Sequence, residues 1–158
     1  MSETPGLLLV ATNRRARHDY HLEAPVEAGL VLQGSEVKSL REGKAQLQDA
    51  FVAFRADGAD LVGVHIPPYA HGGYANHEPT RPRRLLLHAR EIEKLKKGVE
   101  QKGYTIVPLR LYFRNGRAKV EIALAKGKKH FDKRETIATR DEQRRLDRVL
   151  KGDRRDRD

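Results

Sequence analysis

The 158-residue chain contains no cysteine and no tryptophan, and only one methionine. Its other aromatics are five Tyr and four Phe. Without cysteine there can be no disulfide, no thiolate metal site and no cysteine nucleophile. This absence says nothing about compartment. Long apolar runs are also missing. The start, MSETPGLLLVATNRRARH, offers only Leu7 to Val10, preceded by Glu3 rather than a basic region, which makes a poor signal peptide. No stretch approaches the ~20 apolar residues that cross a bilayer. The expectation is a soluble, non-secreted protein with no membrane partner.

Signatures of chemistry are equally scarce. No nucleophile motif is present, and the glycines of HGGY are too few and wrongly placed for a phosphate-binding loop. His65, His71 and His77 match no closed metal module. Glu23 and Glu27 fall on one outward strand face and could divide acid and base roles, although alternate acidic positions serve solubility equally well. The sequence therefore predicts no catalytic residue, no metal ligand, no cofactor and no enzyme.

Positive charge is abundant. The formal net charge is +10 and the sequence pI is near 10.0, which favours a polyanionic partner. Residues 126–158 carry 13 Lys/Arg against 8 Asp/Glu, a net +5 that equals the excess of the first 125 residues. The last eight residues, KGDRRDRD, have no apolar side chain and cannot offset their ordering entropy by burial. These features divide the chain into a basic N-terminal arm (1–18), a folded body (19–125) and a basic tail (126–158) that is disordered when free.

The body reads as mostly β. From Tyr20 to Leu32 every even position is apolar, giving one long strand with Pro25 or Gly29 as a bend. GSEVKSLREG predicts a short helix near 35–42 with Ser35 as N-cap and Gly43 as its stop. Two short strands near 50–55 and 60–66 flank an Asp-Gly turn. A Pro-rich loop covers 66–82, and a helix near 88–102 places Ile92, Leu95 and Val99 on one face. TIVPLRLYFRNGRAKVEIALA is the clearest local signal, two alternating runs around Asn115-Gly116. Thr105, Val107, Leu109, Leu111 and Phe113 are expected on one face, answered by Ala118, Val120, Ile122 and Leu124. Such a pattern fits a small closed antiparallel barrel with flanking short helices, whose closure would remove exposed edges; it fits an α+β sandwich as well.

Two arginine clusters stand out because they have few acidic neighbours. Asn13, Arg14, Arg15, Arg17 and His18 precede the first long strand, and Arg81, Arg83 and Arg84 precede LLL. A guanidinium matches phosphate with two parallel donors, so these clusters predict nucleic-acid contact; a solvated face is the plainer alternative. No recognition helix or finger spacing is visible, which favours RNA over DNA without deciding it. Tyr69, Tyr74 and His77 could stack on unpaired bases, or the tyrosines could pin the loop to the body. In the tail, Thr139 to Glu142 forms a capping box ahead of Leu146, Val149 and Leu150. That helix, near 140–150, is too short to be stable alone and would form against a charged surface. A purely solubilising tail is the alternative.

NRRARHDYHLE, EAGLVLQGSEVKSLREGKAQLQDAF, NHEPTRPRRLLLH, GRAKVEIALAKGKK and DKR together resemble the bacterial SsrA-binding protein family, from about Ala11 to Leu150. The resemblance implies an OB-like barrel and a non-enzymatic, cytoplasmic adaptor. It would bind the tRNA-like domain of transfer-messenger RNA as a monomer, one to one, and deliver it to stalled ribosomes for trans-translation. It implies RNA-facing or supporting roles for Asn13, Arg14, Arg15, Arg17, His18, Glu27, Leu86 and Lys119, to which the cluster argument adds Arg83 and Arg84. Lys126, Lys128, Lys129, Asp132, Lys133 and Arg134 are implied to reach the mRNA path and the small-subunit decoding centre. From the residues alone, a general structured-RNA-binding or ribosome-associated chaperone is the alternative.

Overall fold

In the computed structural model, residues 6–71 and 76–128 are described. The predicted tail from Lys129 onward, with Asp132, Lys133, Arg134 and the helix near 140–150, lies outside them, as does Tyr74. The strands are β1 (Leu7–Thr12), β2 (Tyr20–Leu30), β3 (Phe51–Arg55), β4 (Gly58–Val62), β5 (Arg83–Leu86), β6 (Tyr104–Arg114) and β7 (Arg117–Gly127). The helices are α1 (Arg14–Asp19), α2 (Gly34–Arg41) and α3 (Ala89–Val99). All seven strands form one antiparallel sheet in the order β1-β6-β7-β2-β5-β4-β3.

The sheet curls far enough to bring β3 against β6, yet no ladder joins the edge strands β1 and β3. The closed barrel expected from the sequence is therefore corrected to a curled, open sheet, since closure requires the two edges to share hydrogen bonds. The N-terminal residues differ from expectation too. Residues 7–12 pair with β6 and residues 14–19 form a helical turn and a half, so these described stretches of the expected arm pack with the body.

Asn115 (φ 51°) and Gly116 (φ 82°) both occupy the left-handed region, the geometry a type I′ turn demands. Downstream, Ala118, Val120, Ile122 and Leu124 all join the main core as expected. On β6 the simple alternation fails. A bulge between Pro108 and Arg110 inserts an extra residue, so Ile106 before it and Leu111 and Phe113 after it share the main core. Val107 and Leu109 are displaced to the opposite face, where they pack with Ala16 of α1 and Ala125. β2 carries a matching bulge between Glu23 and Val26, with Ala24 at φ 52°. Tyr20 and Leu22 join the second cluster, while Val26, Ala28 and Leu30 line the first. Two bulged strands flanking β7 thus bend the sheet and create a separate apolar seat for α1.

α2 is capped by Gln33 and Glu36, not by Ser35. Ser35 instead hydrogen-bonds His77 Nδ1 at 2.8 Å. α3 begins after His88 and buries Leu95 against the core.

Candidate nucleic-acid interface

The outer face where β6, β7 and β2 run side by side carries two neighbouring ion pairs. Glu121 lies directly across from Glu27 in the β2–β7 ladder, a like-charge pair that would repel if left alone. Each carboxylate is matched by an arginine from β6: Arg110 Nε donates to Glu121 at 3.0 Å and Arg114 Nε donates to Glu27 at 2.9 Å. Between these arginines lies the ring of Tyr112, only 2% exposed, with the guanidinium carbons of Arg110 and Arg114 5.4 and 5.6 Å from its centroid. The Tyr112 hydroxyl donates to Glu27 Oε1 at 2.6 Å. That bond, with Arg114 and the charge of Lys119, holds the Glu27 carboxyl below the usual carboxylate range against the opposing effect of burial. Burial, then the bond to Glu27, raises the Tyr112 hydroxyl to about 12.

Glu27 and Lys119 also line a groove of about 470 Å³ whose other walls include Gly29, Arg84, Leu86 and His88. Leu86 projects here with 58% of its surface exposed, resting on the bare backbone of Gly29, its ladder partner. A Cβ on Gly29 would come within 3.1 Å of the Leu86 Cβ. Arg84 is exposed and reaches the Asp57 backbone oxygen at 3.2 Å. The groove therefore offers the Glu27 acceptor, the cations of Lys119 and of Arg84, the latter paired with Asp57 Oδ2 at 3.4 Å, and an apolar platform, with Glu91 also on its wall.

A second basic region surrounds α1. Arg14, Arg15 and Arg17 are exposed, and Arg14, Arg17, His18, His21 and Lys128 line a recess of about 700 Å³. Ala16 and Asn13 anchor the turn: Ala16 is 1% exposed, and Asn13 Nδ2 donates to the Pro108 carbonyl at 2.9 Å. Lys128 Nζ donates to the Arg17 carbonyl and its backbone N–H to the Asp19 carbonyl, both at 2.9 Å. Lys128, the last described residue, thus sits beside α1. Lys126 is exposed, with its ammonium 5.8 Å from the Tyr104 ring centroid. Register separates the two regions, since Lys119 pairs with Gly29 while Lys126 pairs with His21. The seven steps from Lys119 to Lys126 along β7 span roughly 23 Å. Among the described residues, the predicted RNA-facing and tail side chains other than Arg83 fall in two patches.

Arg83 belongs to neither patch. It is fully buried and its donors are used internally: Nε to Glu36 Oε2 at 2.7 Å, Nη1 to the Val64 carbonyl at 2.6 Å and Nη2 to the Pro79 carbonyl at 2.9 Å. The expectation that Arg83 meets RNA is corrected on that ground; alternation along β5 turns Arg84 and Leu86 outward and Arg83 in. Arg81 joins it, donating to both Glu36 oxygens at 3.0 and 2.6 Å. His77 is buried as well, so it is no stacking platform. Its Nε2 faces the Ile66 carbonyl at 2.8 Å, which can only accept, so Nε2 donates there, while Nδ1 pairs with the Ser35 hydroxyl. Tyr69 is half-buried, with Lys38 of α2 5.5 Å from its ring centroid, and its backbone pairs with Asn76 within the loop through two 2.8 Å bonds.

Sequence reasoning missed Tyr112, Arg110 and Arg114. Their even positions opposite the expected core face marked them as outward, but not as partners of Glu27 and Glu121. Among the described residues no group of three or more His, Asp or Glu is arranged to hold a metal, and no helix is long and apolar enough to cross a membrane.

Comparison with known proteins places this geometry in a family. Residues 10–152 match the family model described as SmpB protein. An SsrA-binding protein of Solidesulfovibrio magneticus is 59% identical over 86% of this chain and 88% of its own. That of Thermobifida fusca is 57% identical, covering 92% and 91%, and that of Acidothermus cellulolyticus 53% identical, covering 95% and 94%. A solved structure described as "tmRNA-SmpB: a journey to the center of the bacterial ribosome" superposes with a TM-score of 0.66 at 50% identity, over 77% of this chain and 85% of that one. With a family model spanning nearly its whole length and relatives above half identity, the chain belongs to the SmpB family of SsrA-binding proteins.

Proposed function

We propose that this protein is the RNA-binding adaptor of trans-translation: it binds transfer-messenger RNA and brings it to stalled ribosomes, where a tag is added to the nascent peptide and the ribosome is freed. The observation that carries the reading is the half-identical relative solved in a tmRNA–SmpB assembly on the bacterial ribosome, matched over most of both chains. The chemistry agrees with it. Net charge of +10 suits a polyanion, and the groove beside Glu27 combines phosphate-binding cations with an acceptor for base or ribose donors. Peptidyl transfer stays with the ribosome, so the protein needs no catalytic group of its own.

In this reading the curled sheet is an OB-like body left open at one seam. Its Glu27–Lys119–Leu86–Arg84 groove captures the tRNA-like domain, with Asn13, Arg14, Arg15, Arg17 and His18 as further contacts or supports. One protein binds one RNA, in the cytoplasm. The tail acts on the ribosome, with Lys126, Lys128, Lys129, Asp132, Lys133 and Arg134 directed to the mRNA path and decoding centre. Removing residues 131–158 should leave most affinity for the tRNA-like domain while abolishing tagging in a reconstituted translation assay. Tagging retained by the truncated protein would refute this division of labour.

A further inference from the structure

Both hydrogen bonds that Glu27 receives end on the same oxygen. Tyr112 Oη and Arg114 Nε converge on Oε1 at 2.6 and 2.9 Å, and neither reaches Oε2. The hydroxyl that fixes Oε1 is itself held rigidly, because the Tyr112 ring is 2% exposed and has Arg110 and Arg114 beside it. A carboxylate clamped on one oxygen loses rotamer freedom before any partner arrives, and the other oxygen is presented in a set direction. Over a third of the Glu27 side chain is still open to solvent, and that side chain lines the groove. The carboxyl's lowered proton affinity keeps it an acceptor only.

Resting on the adaptor reading above, we infer that Tyr112 and Arg114 are positioning residues for RNA recognition, holding Glu27 so that Oε2 accepts one hydrogen bond from an RNA donor group. The donor is the amino or imino N–H of an unpaired base, or a ribose 2′-hydroxyl. A phosphate is excluded at this oxygen by charge. Lys119, opposite Gly29 in the adjacent strand and lining the same groove, supplies the cation for the neighbouring phosphate. An anion beside a cation weakens attraction to bare polyanion and favours a nucleotide whose donor and phosphate fall at the right separation. The clamp therefore acts on selectivity more than on raw charge attraction.

A double-mutant cycle with the full-length protein tests this. Affinity for the tRNA-like domain of transfer-messenger RNA is measured across a salt series for wild type, Tyr112→Phe, Arg114→Gln, Glu27→Ala and the two double variants. Tyr112→Phe keeps the ring and its cation contacts and removes one hydrogen bond. It should weaken binding about 3- to 10-fold with an unchanged salt slope. In the Glu27→Ala background both Tyr112→Phe and Arg114→Gln should cause no further loss. Additive losses, or an Arg114→Gln salt slope reduced by about one, would mean direct RNA contact and overturn the positioning role. No effect of Glu27→Ala would overturn it as well, while a wild-type preference for the tRNA-like domain over ordinary tRNA would leave the adaptor reading standing. Loss of that wild-type preference would instead remove the adaptor reading itself.

Discussion

Replacing Glu36 with glutamine tests what fixes the strand that carries Arg84 and Leu86. Glu36 and Arg83 are both fully buried, and four donors converge on the two carboxylate oxygens. Oε1 accepts from the Gln33 backbone at 2.8 Å and from Arg81 at 2.6 Å; Oε2 accepts from Arg81 at 3.0 Å and Arg83 at 2.7 Å. A glutamine side chain of the same shape keeps one acceptor and turns an NH2 group toward two arginine donors. It also leaves the Arg83 cation buried without its counter-charge. Breaking a buried pair in this way costs about 3–5 kcal/mol, a large part of the ~5–15 kcal/mol that stabilises a domain. With a urea dependence of roughly 1–3 kcal/mol per molar, the unfolding midpoint should fall by about 2 M. A Glu36→Leu, Arg83→Met variant removes both buried charges and should recover most of the loss, since Arg81, 26% exposed in its side chain, can turn to water. A Glu36→Gln midpoint within about 0.3 M of wild type would refute the argument that this triad holds the fold.

Three further outcomes follow from the same structure. Burial pushes the Glu36 carboxyl up, but the bonds from Arg81, Gln33 and Arg83 outweigh it and leave it below its ordinary 4.5. Its stabilisation is therefore complete above that value and is lost as pH falls through the depressed one, so acid melts should show a steeper decline for wild type than for the Leu/Met double variant. Tyr112 titrates in the opposite sense: its contribution is complete below pH 10.0 and lost as pH rises through about 12, so an ultraviolet titration of the tyrosines should lose its latest-ionising component in Tyr112→Phe. Lys119→Ala should weaken binding of the tRNA-like domain and reduce the salt slope by about one, with an unchanged melting curve.

The extent to which the sequence disclosed this architecture depended on how local each signal was. The Asn115-Gly116 hairpin and the even-position alternation of β2 were legible because turn chemistry and period-two patterning are properties of adjacent residues. The bulge after Pro108 was not, since its cause is the pairing with β7, and it moved Val107 and Leu109 to the other face. β1 escaped notice because LLLVAT lacks alternation and becomes a strand only by pairing with β6. The same limit applied to the site. Arg83 and Arg84 look alike in sequence, yet one faces Glu36 in the core and the other the groove. Only the register that sets Tyr112 and Arg114 beside Glu27 explains how that carboxylate is held.

The central claim is that the basic body reads one RNA's shape and chemistry rather than phosphate charge in general. The most direct measurement is a titration of the full-length protein with the isolated tRNA-like domain of transfer-messenger RNA, with ordinary tRNA and duplex DNA as competitors across a salt series. Every ligand will weaken as salt rises, so the decisive quantity is the ratio of affinities at fixed salt. The tRNA-like domain should prevail by orders of magnitude. Equal competition by all three would contradict it and leave a general structured-RNA-binding protein, attracted to phosphate by its net charge of +10 alone.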